Sequence, residues 1–297
     1  MAKVFIGMPS YNSSRFIREA VESLRSQTFT DWTMLISDDA STDETEFICK
    51  EYAKKDPRIT YYRQPKNIGQ FDNFKFVLDK AKGEYFMWAG HDDLWDKDFI
   101  KVCVENLSVY PERGVSFTNH NAIHANTSIA IEYPNFPNLS GPKNLHTVIK
   151  FVLEPEVLGK PNVFYSLFRL DCARKAFSYY PHQKKWGADI LFSLAAISHC
   201  GIIIDKRVLF NKRLGGYSSS GKNTPTLGEN NIIKNPKNYI FPIGGGRFST
   251  YMAGHRQALR DTPYYPFVFV ILLIRSVRAL VLHLKTRNYR KYLEKIK

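Results

Sequence analysis

The chain has 297 residues, 44% of them hydrophobic and 24% charged, a composition that excludes disorder as a whole and leaves ample length for a core. Its formal charge of +14 is unevenly spread: residues 1–100 carry 14 basic and 17 acidic side chains, whereas residues 101–297 carry 28 and 11. The back half is therefore either a solvated basic face or suited to something anionic, such as nucleic acid, a membrane surface or a phosphorylated substrate.

From the N-terminus, Lys3 to Met8 is a compact apolar run closed by Pro9-Ser10-Tyr11-Asn12, the pattern of a strand followed by a turn. It is too short for the apolar region of a signal peptide. Phe16, Ile17, Ala20, Val21 and Leu24 fall at helical spacing and predict a helix over 14–26. Trp32 to Ser37 reads as a second strand ending on Asp38-Asp39. Ser41 and Glu44 then have the spacing of a capping box, opening a helix to about Lys54. Ile59 to Arg63 is a third strand, Asn67-Ile68-Gly69 breaks the pattern, and Phe71, Phe74, Val77, Leu78 and Ala81 form another helical stripe. Tyr85 to Trp88 is the fourth strand; it leads into Asp92-Asp93 and a helix from Lys97 to Tyr110. Strands and helices alternating at this pace predict βαβ units, a parallel sheet and helices on both of its faces.

Two strand ends, at Asp38-Asp39 and Asp92-Asp93, thus fall on one carboxyl edge, where open α/β sheets bind ligands. A carboxylate pair there suits a hard divalent cation shared with substrate phosphates. The local alternative is that Asp92 starts a turn and Asp93 caps a helix. Four carboxylates on one edge would repel unless a cation or an uncharged donor sits among them. Neither Gly-x-Gly-x-x-Gly after the first strand nor a P-loop is present, so phosphate neutralisation falls to a metal.

The segments Val4 to Asn12, Ser26-Gln27-Thr28-Phe29, Ser37 to Asp43, Asn67-Ile68-Gly69 and Gly83 to Trp95, in this order and spacing, resemble glycosyltransferase family 2. That resemblance implies the GT-A fold, an α/β Rossmann-like and mostly parallel sheet flanked by helices, and an inverting enzyme fed by a nucleotide-diphosphate sugar. By position, Pro9, Tyr11 and Asp39 match the group that holds base and ribose. A carboxylate at Asp39 accepting an imide N–H implies uracil or thymine, hence UDP or dTDP. Asn67 and Gly69 match the loop beside the nucleotide, and Asp92 matches the aspartate that holds Mg²⁺ or Mn²⁺. The family's run has a further aspartate where this chain has Gly90. Metal ligation by His91 or Asp93 is therefore open, and both remain candidates for contact with the donor.

In the back half, Val115 to Thr118 and Ser128 to Ile131 are expected as strands, residues 133–142 as a loop, Leu145 to Leu153 as a helix and Val163 to Phe168 as a strand. Asp189 precedes a strongly apolar helix. The resemblance makes it the catalytic base that takes the acceptor proton, while local chemistry alone makes it an N-cap. Trp186 is either a wall for the acceptor sugar or core. Gly201 to Asp205 and Arg207 to Arg213 read as strands, and residues 215–223 as a lid or a surface loop, with Arg213 and Lys222 as candidates for diphosphate contact.

The apolar run from Pro266 to Ile274 is shorter than the ~20 residues that span a bilayer. Arg275, Arg278 and Lys285 follow on one helical face, the pattern of a basic helix lying on anionic lipid; packing on the domain and a homodimer contact are the other readings. Nucleic acid is not an expected partner, because aromatics are not interleaved with the basic run. The four scattered cysteines, Cys49, Cys103, Cys172 and Cys200, point to free thiols in a reducing compartment. The expected organisation is a nucleotide-sugar-binding half over 1–118, an acceptor half with the base over 119–225, and a basic helical extension over 226–297. The expected function is transfer from a UDP- or dTDP-sugar to a glycan or lipid-linked acceptor in surface polysaccharide or lipopolysaccharide synthesis, at the cytoplasmic face of the membrane. A degenerate nucleotide-sugar-binding or scaffold protein is the alternative.

Overall fold

The computed structural model describes residues 2–124, 130–132, 138–154, 159–179, 188–214 and 248–274. Its front half follows the expected alternation: β1 (Val4–Ser10), α1 (Ile17–Arg25), β2 (Trp32–Asp38), α2 (Thr45–Lys55), β3 (Ile59–Arg63), α3 (Gln70–Lys80) and β4 (Tyr85–Trp88). After the acidic loop come β5 (Leu94–Trp95), α4 (Phe99–Val109), β6 (Val115–His124), β7 (Ala130–Glu132), α5 (Leu145–Leu153), a 3₁₀ turn (Lys160–Tyr165), β8 (Leu167–Arg169), α6 (Leu170–Ser178), α7 (Ala188–Cys200), β9 (Ile202–Leu214) and α8 (Phe248–Ala258).

Among the described residues nine strands form one sheet in the order β3-β2-β1-β4-β8-β6-β9-β5, with β7 paired to β6. The first four are mutually parallel, and β8 and β5 run antiparallel to their neighbours. This is the mostly parallel, helix-flanked sheet that the sequence predicts. β6 runs across residue 118, so a single sheet joins the two expected halves. Ser10 pairs with Asp38 and Gly7 with Trp88, which brings the carboxyl ends of β1, β2 and β4 to one rim. β1, β2 and β4 are buried on both faces, as parallel sheets are, whereas the edge strand β3 is largely exposed. Gly7 leaves no room for a side chain because Val77 of α3 lies directly above it, so the helix packs tightly on the sheet.

The core is densest at the tip of β4. The Trp88 ring stacks on Phe164 at 4.8 Å, meets Phe86 edge-on at 4.6 Å and Phe192 edge-on at 5.0 Å, and its indole N–H donates to the Phe74 carbonyl. One side chain thereby ties α3, β4, the 3₁₀ turn and α7 together.

Three local expectations are corrected. Residues 163–168 are a 3₁₀ turn followed by a three-residue strand rather than one strand. Gly159 at φ +86 and a proline at the turn's start set a tight helix, and the aromatic run fills the gap over Trp88 instead of alternating. The capping box does not form: Ser41 donates to Asp38, and Asp43 accepts from the Thr45 N–H at 3.0 Å instead. Finally, Cys172 and Cys200 are disulfide-bonded, while Cys49 and Cys103 are free and buried. The pair stands 28 residues apart in sequence, but folding lays the start of α6 against the end of α7, with Gly114 leaving space beside both residues.

Candidate active site

The rim is stitched together by a chain of short contacts. The Asp39 N–H donates to the Ser10 carbonyl at 2.8 Å, the Ala89 N–H donates to the Gly7 carbonyl at 2.9 Å, and His91 Nδ1 donates to the Pro9 carbonyl at 3.3 Å. Pro9, Tyr11, Asp39, His91 and Asp92 therefore gather at one place. Asp39 is nearly fully buried, and its two carboxylate oxygens accept the N–H groups of Ile68 at 2.7 Å and Gly69 at 3.0 Å. It thus fixes the loop that Asn67 and Gly69 were expected to supply. A carboxylate offers about four acceptor positions, so two remain for a ligand donor. Gly69 stands at φ +90, with nothing within 4 Å of where a side chain would start; Tyr11 is half-buried and Asn67 exposed.

The repulsion expected among four carboxylates is largely relieved from within. Asp38 accepts from Tyr61 Oη at 2.7 Å, from Arg63 at 3.1 Å and from Ser41. Asp93 is fully buried and accepts Lys212 Nζ at 2.9 Å and the Arg213 N–H at 3.0 Å. Burial pushes the Asp93 carboxyl up to about 6; Lys212 opposes that shift and Asp92 adds to it. Burial alone would lower the Lys212 ammonium, yet Asp93 holds it well above its usual range. Arg213 donates from Nε to the Asp92 carbonyl at 2.8 Å and pairs with Glu19 at 2.8 Å. Asp93 and Arg213, both expected at the donor, thus also brace the 91–93 loop from within.

Gly90 has a physical explanation. A side chain there would run into the Asp93 carboxylate and approach Asp92 Oδ1, so the place of the family's earlier aspartate is taken up by Asp93. Because Asp93 is pinned from two sides, it cannot retreat. Gly90→Ala is expected to cost about 1–3 kcal/mol, as overpacking of a fixed site does. A urea titration in which the variant unfolds at the wild-type midpoint would contradict the clash.

Asp189 enters the same neighbourhood on α7. Phe192, one turn further along, is locked against Trp88, four residues ahead of Asp92, so the aromatic cluster sets the distance from helix to loop. Asp189 occupies the first turn of α7; its carboxylate accepts the Ile190 N–H, and its carbonyl accepts Ser193 Oγ at 2.8 Å. Burial raises its carboxyl above the ordinary value, and Lys212 partly counters the rise. Tyr165 joins the groups: burial raises its hydroxyl, and Lys212, Asp93, Asp92 and Asp189 all act on it electrostatically. Asp92 and Asp189 therefore both lie near enough to Tyr165 to act on it electrostatically, with Lys212 between their charges.

Sequence reasoning missed both of these central residues. Lys212 falls within the expected strand Arg207 to Arg213 and Tyr165 within the expected strand Val163 to Phe168, with nothing local to single either out. Among the described residues no group of three or more His, Cys, Asp or Glu side chains is disposed to hold a metal ion. The donor set still fits a cation of the Mg²⁺ type, which is commonly bound through one or two carboxylates plus substrate phosphates. Asp92 is the rim carboxylate that the family resemblance matches to that arrangement. Trp186, Lys222 and the 215–223 segment lie outside the described residues, as do Arg275, Arg278 and Lys285.

Comparison with known proteins points one way. Residues 5–166 match the family described as Glycosyl transferase family 2. A protein of Bacillus subtilis assigned to teichuronic acid biosynthesis as a glycosyltransferase is 34% identical over 110 residues, which are 37% of this chain and 42% of that protein. The chondroitin synthase of Escherichia coli is 35% identical over 35% of this chain and 15% of its own. The match thus spans less than half of these relatives. Among solved structures, Staphylococcus aureus TarS in complex with UDP-GlcNAc superposes with a TM-score of 0.64 at 17% identity, over 92% of this chain and 72% of that one. A mannosyltransferase of Pyrobaculum calidifontis in complex with GDP-Man and Mn²⁺ gives 0.54 at 15%, over 95% and 74%. At these identities the likeness is one of fold.

Proposed function

The chain belongs to glycosyltransferase family 2, and on that premise we propose that it transfers a sugar, with inversion, from a UDP- or dTDP-sugar to a hydroxyl of a glycan or lipid-linked acceptor. The observation that supports the proposal is that Asp39, His91 and Asp92 lie at one rim of the sheet, with Asp189 near enough to Lys212 to feel its charge. Tyr11 packs on the base, and Asp39 uses its remaining acceptor capacity for the imide N–H. Pro9 and Gly69 let the nucleotide lie close to the backbone, with Asn67 at its edge and His91 beside the phosphates. Asp92, with diphosphate oxygens and water, would hold Mg²⁺ or Mn²⁺, which supplies Lewis-acid stabilisation of the departing diphosphate. Asp189 accepts the acceptor proton as the new bond forms; its raised pKa brings it nearer the operating pH than an ordinary carboxylate, which favours a general base. The solved complexes of TarS with UDP-GlcNAc and UDP support a uridine donor, and the Mn²⁺ complex of the archaeal neighbour supports a divalent ion.

A thermal-shift screen of nucleotide sugars with Mn²⁺ tests this reading. UDP- or dTDP-sugars should raise the melting temperature; stabilisation by GDP-sugars alone, or by none, would rule out the pyrimidine assignment. Transfer assays with the donor that binds then separate an enzyme from a degenerate binding protein.

A membrane-bound acceptor suits the C-terminal end. Residues 265–274 form a helix whose Val268 and Leu272 are buried, while Phe267, Val270 and Ile274 are more than half exposed. No helix among the described residues is long and apolar enough to cross a membrane. The exposed apolar face, followed in sequence by Arg275, Arg278 and Lys285, supports a reading in which this end rests on anionic lipid at the inner face of the cell membrane. Co-sedimentation with anionic vesicles should exceed that with neutral ones; equal recovery in both would leave the helix as a protein contact.

A further inference from the structure

We propose that Lys212 is a built-in cation for the donor diphosphate, giving the site an affinity for nucleoside diphosphates that survives removal of divalent metal. The proposal rests on the donor reading above, and it concerns a residue that reading leaves without a role.

Lys212 reaches the acidic loop because β9 lies beside β5, Leu94 facing Asn211. Its ammonium hydrogen-bonds Asp93 Oδ2 at 2.9 Å and lies 4.8 Å from the centre of the Tyr165 ring. The side chain is 16% exposed, whereas that of Asp93 is fully covered. Among the described residues, Asp93 accepts from this ammonium, which has three N–H groups. The other two are available to phosphate oxygens without any break in the pair. Arg213, by contrast, already commits its Nε and one Nη to Asp92's backbone and Glu19.

The arrangement also answers an imbalance of charge. A diphosphate entering beside Asp92 and within reach of Asp189 meets negative charge from two sides. With no side chain at Gly90, the loop can recruit fewer metal-binding carboxylates to compensate. A lysine fixed in place by a buried aspartate offers its charge without the entropy cost of ordering a free side chain. Asp93 then has a defined purpose, as the group that aims the ammonium at the rim.

The test compares binding of UDP and uridine in EDTA by titration calorimetry. Wild-type protein should bind UDP more tightly than uridine without metal. Removal of the lysine charge should cut UDP affinity by about tenfold, as loss of a charged hydrogen bond does, and leave uridine binding unchanged. Because Lys212→Met alone strands a buried carboxylate, the Lys212→Met/Asp93→Asn pair serves as the second variant, with uridine binding as its control for folding. Lys212→Arg should retain part of the preference for UDP. An unchanged ratio of UDP to uridine affinity in the double variant would overturn the proposal while leaving the donor reading intact. Failure of the wild type to bind UDP, dTDP, GDP or uridine, with or without Mn²⁺, would overturn both.

Discussion

Asp189→Asn is expected to bind donor nucleotide as the wild type does and to transfer its sugar about 10²–10⁴-fold more slowly. The substitution preserves shape and removes the only function the proposal gives this side chain, acceptance of the acceptor proton. Donor affinity is the informative control, because Asp39, Asn67 and Gly69 lie on other elements. In the wild type, the acid limb of kcat/KM should lie above the range of an ordinary carboxylate, since burial raises the pKa. The sign for stability is fixed by the same shift. Below the ordinary value of 3.8 both folded and unfolded states hold the proton, and the group contributes nothing. As pH rises, the unfolded chain releases its proton first, so the carboxylate destabilises the fold until its raised pKa is passed and by a constant amount beyond. The asparagine variant should therefore melt at or above the wild-type temperature at pH 7, with the difference vanishing in acid. A cap that draws on its charge at the helix N-terminus would behave in the opposite way, since asparagine keeps the cap's hydrogen bond but loses that charge. A variant that transfers at the wild-type rate, or that melts lower at neutral pH, would return Asp189 to the role of cap.

The front half was legible because its signals are local. In β1 to β4 each apolar run is closed by its own turn residues within a few positions, and those strands pair with one another in parallel, so the order of motifs along the chain maps onto one rim. The back half depends on distant partners. Lys212 matters because β9 finds β5, over a hundred residues upstream, and nothing in the neighbourhood of Lys212 announces that pairing. Tyr165 follows the same logic: Gly159 and the proline after it wind its segment into a 3₁₀ turn, and the fit of Phe164 over Trp88 decides which way the ring beside it points. Cys172 and Cys200 become neighbours only through the packing of α6 on α7. Gly90 is the instructive case, a departure from a motif that looked like a defect in one dimension. In three dimensions a second carboxylate, Asp93, arrives from the other side of the loop and leaves no space for a side chain.

That geometry sets the expectation for Asp92→Ala. The Asp92 side chain is nearly fully buried, but its backbone is held independently: Arg213 Nε binds the carbonyl at 2.8 Å, and the neighbouring Asp93 is clamped by Lys212 and the Arg213 N–H. Truncation therefore deletes one carboxylate and leaves the loop in place, with overall melting close to that of the wild type. If Asp92 is the protein's ligand for a divalent ion, losing it removes several kcal/mol of stabilisation from the departing diphosphate. That corresponds to a fall of roughly 10²–10⁴-fold in kcat. Binding of UDP should respond differently in the two metal conditions. With Mn²⁺ the variant should bind more weakly than wild type, whereas in EDTA it should bind at least as well, because a negative charge beside the phosphates has gone. A structural aspartate would lower stability and weaken both conditions alike. The crossing of the two affinities is the result that assigns the ion to Asp92, and parallel loss in Mn²⁺ and EDTA would remove Asp92 from the metal site.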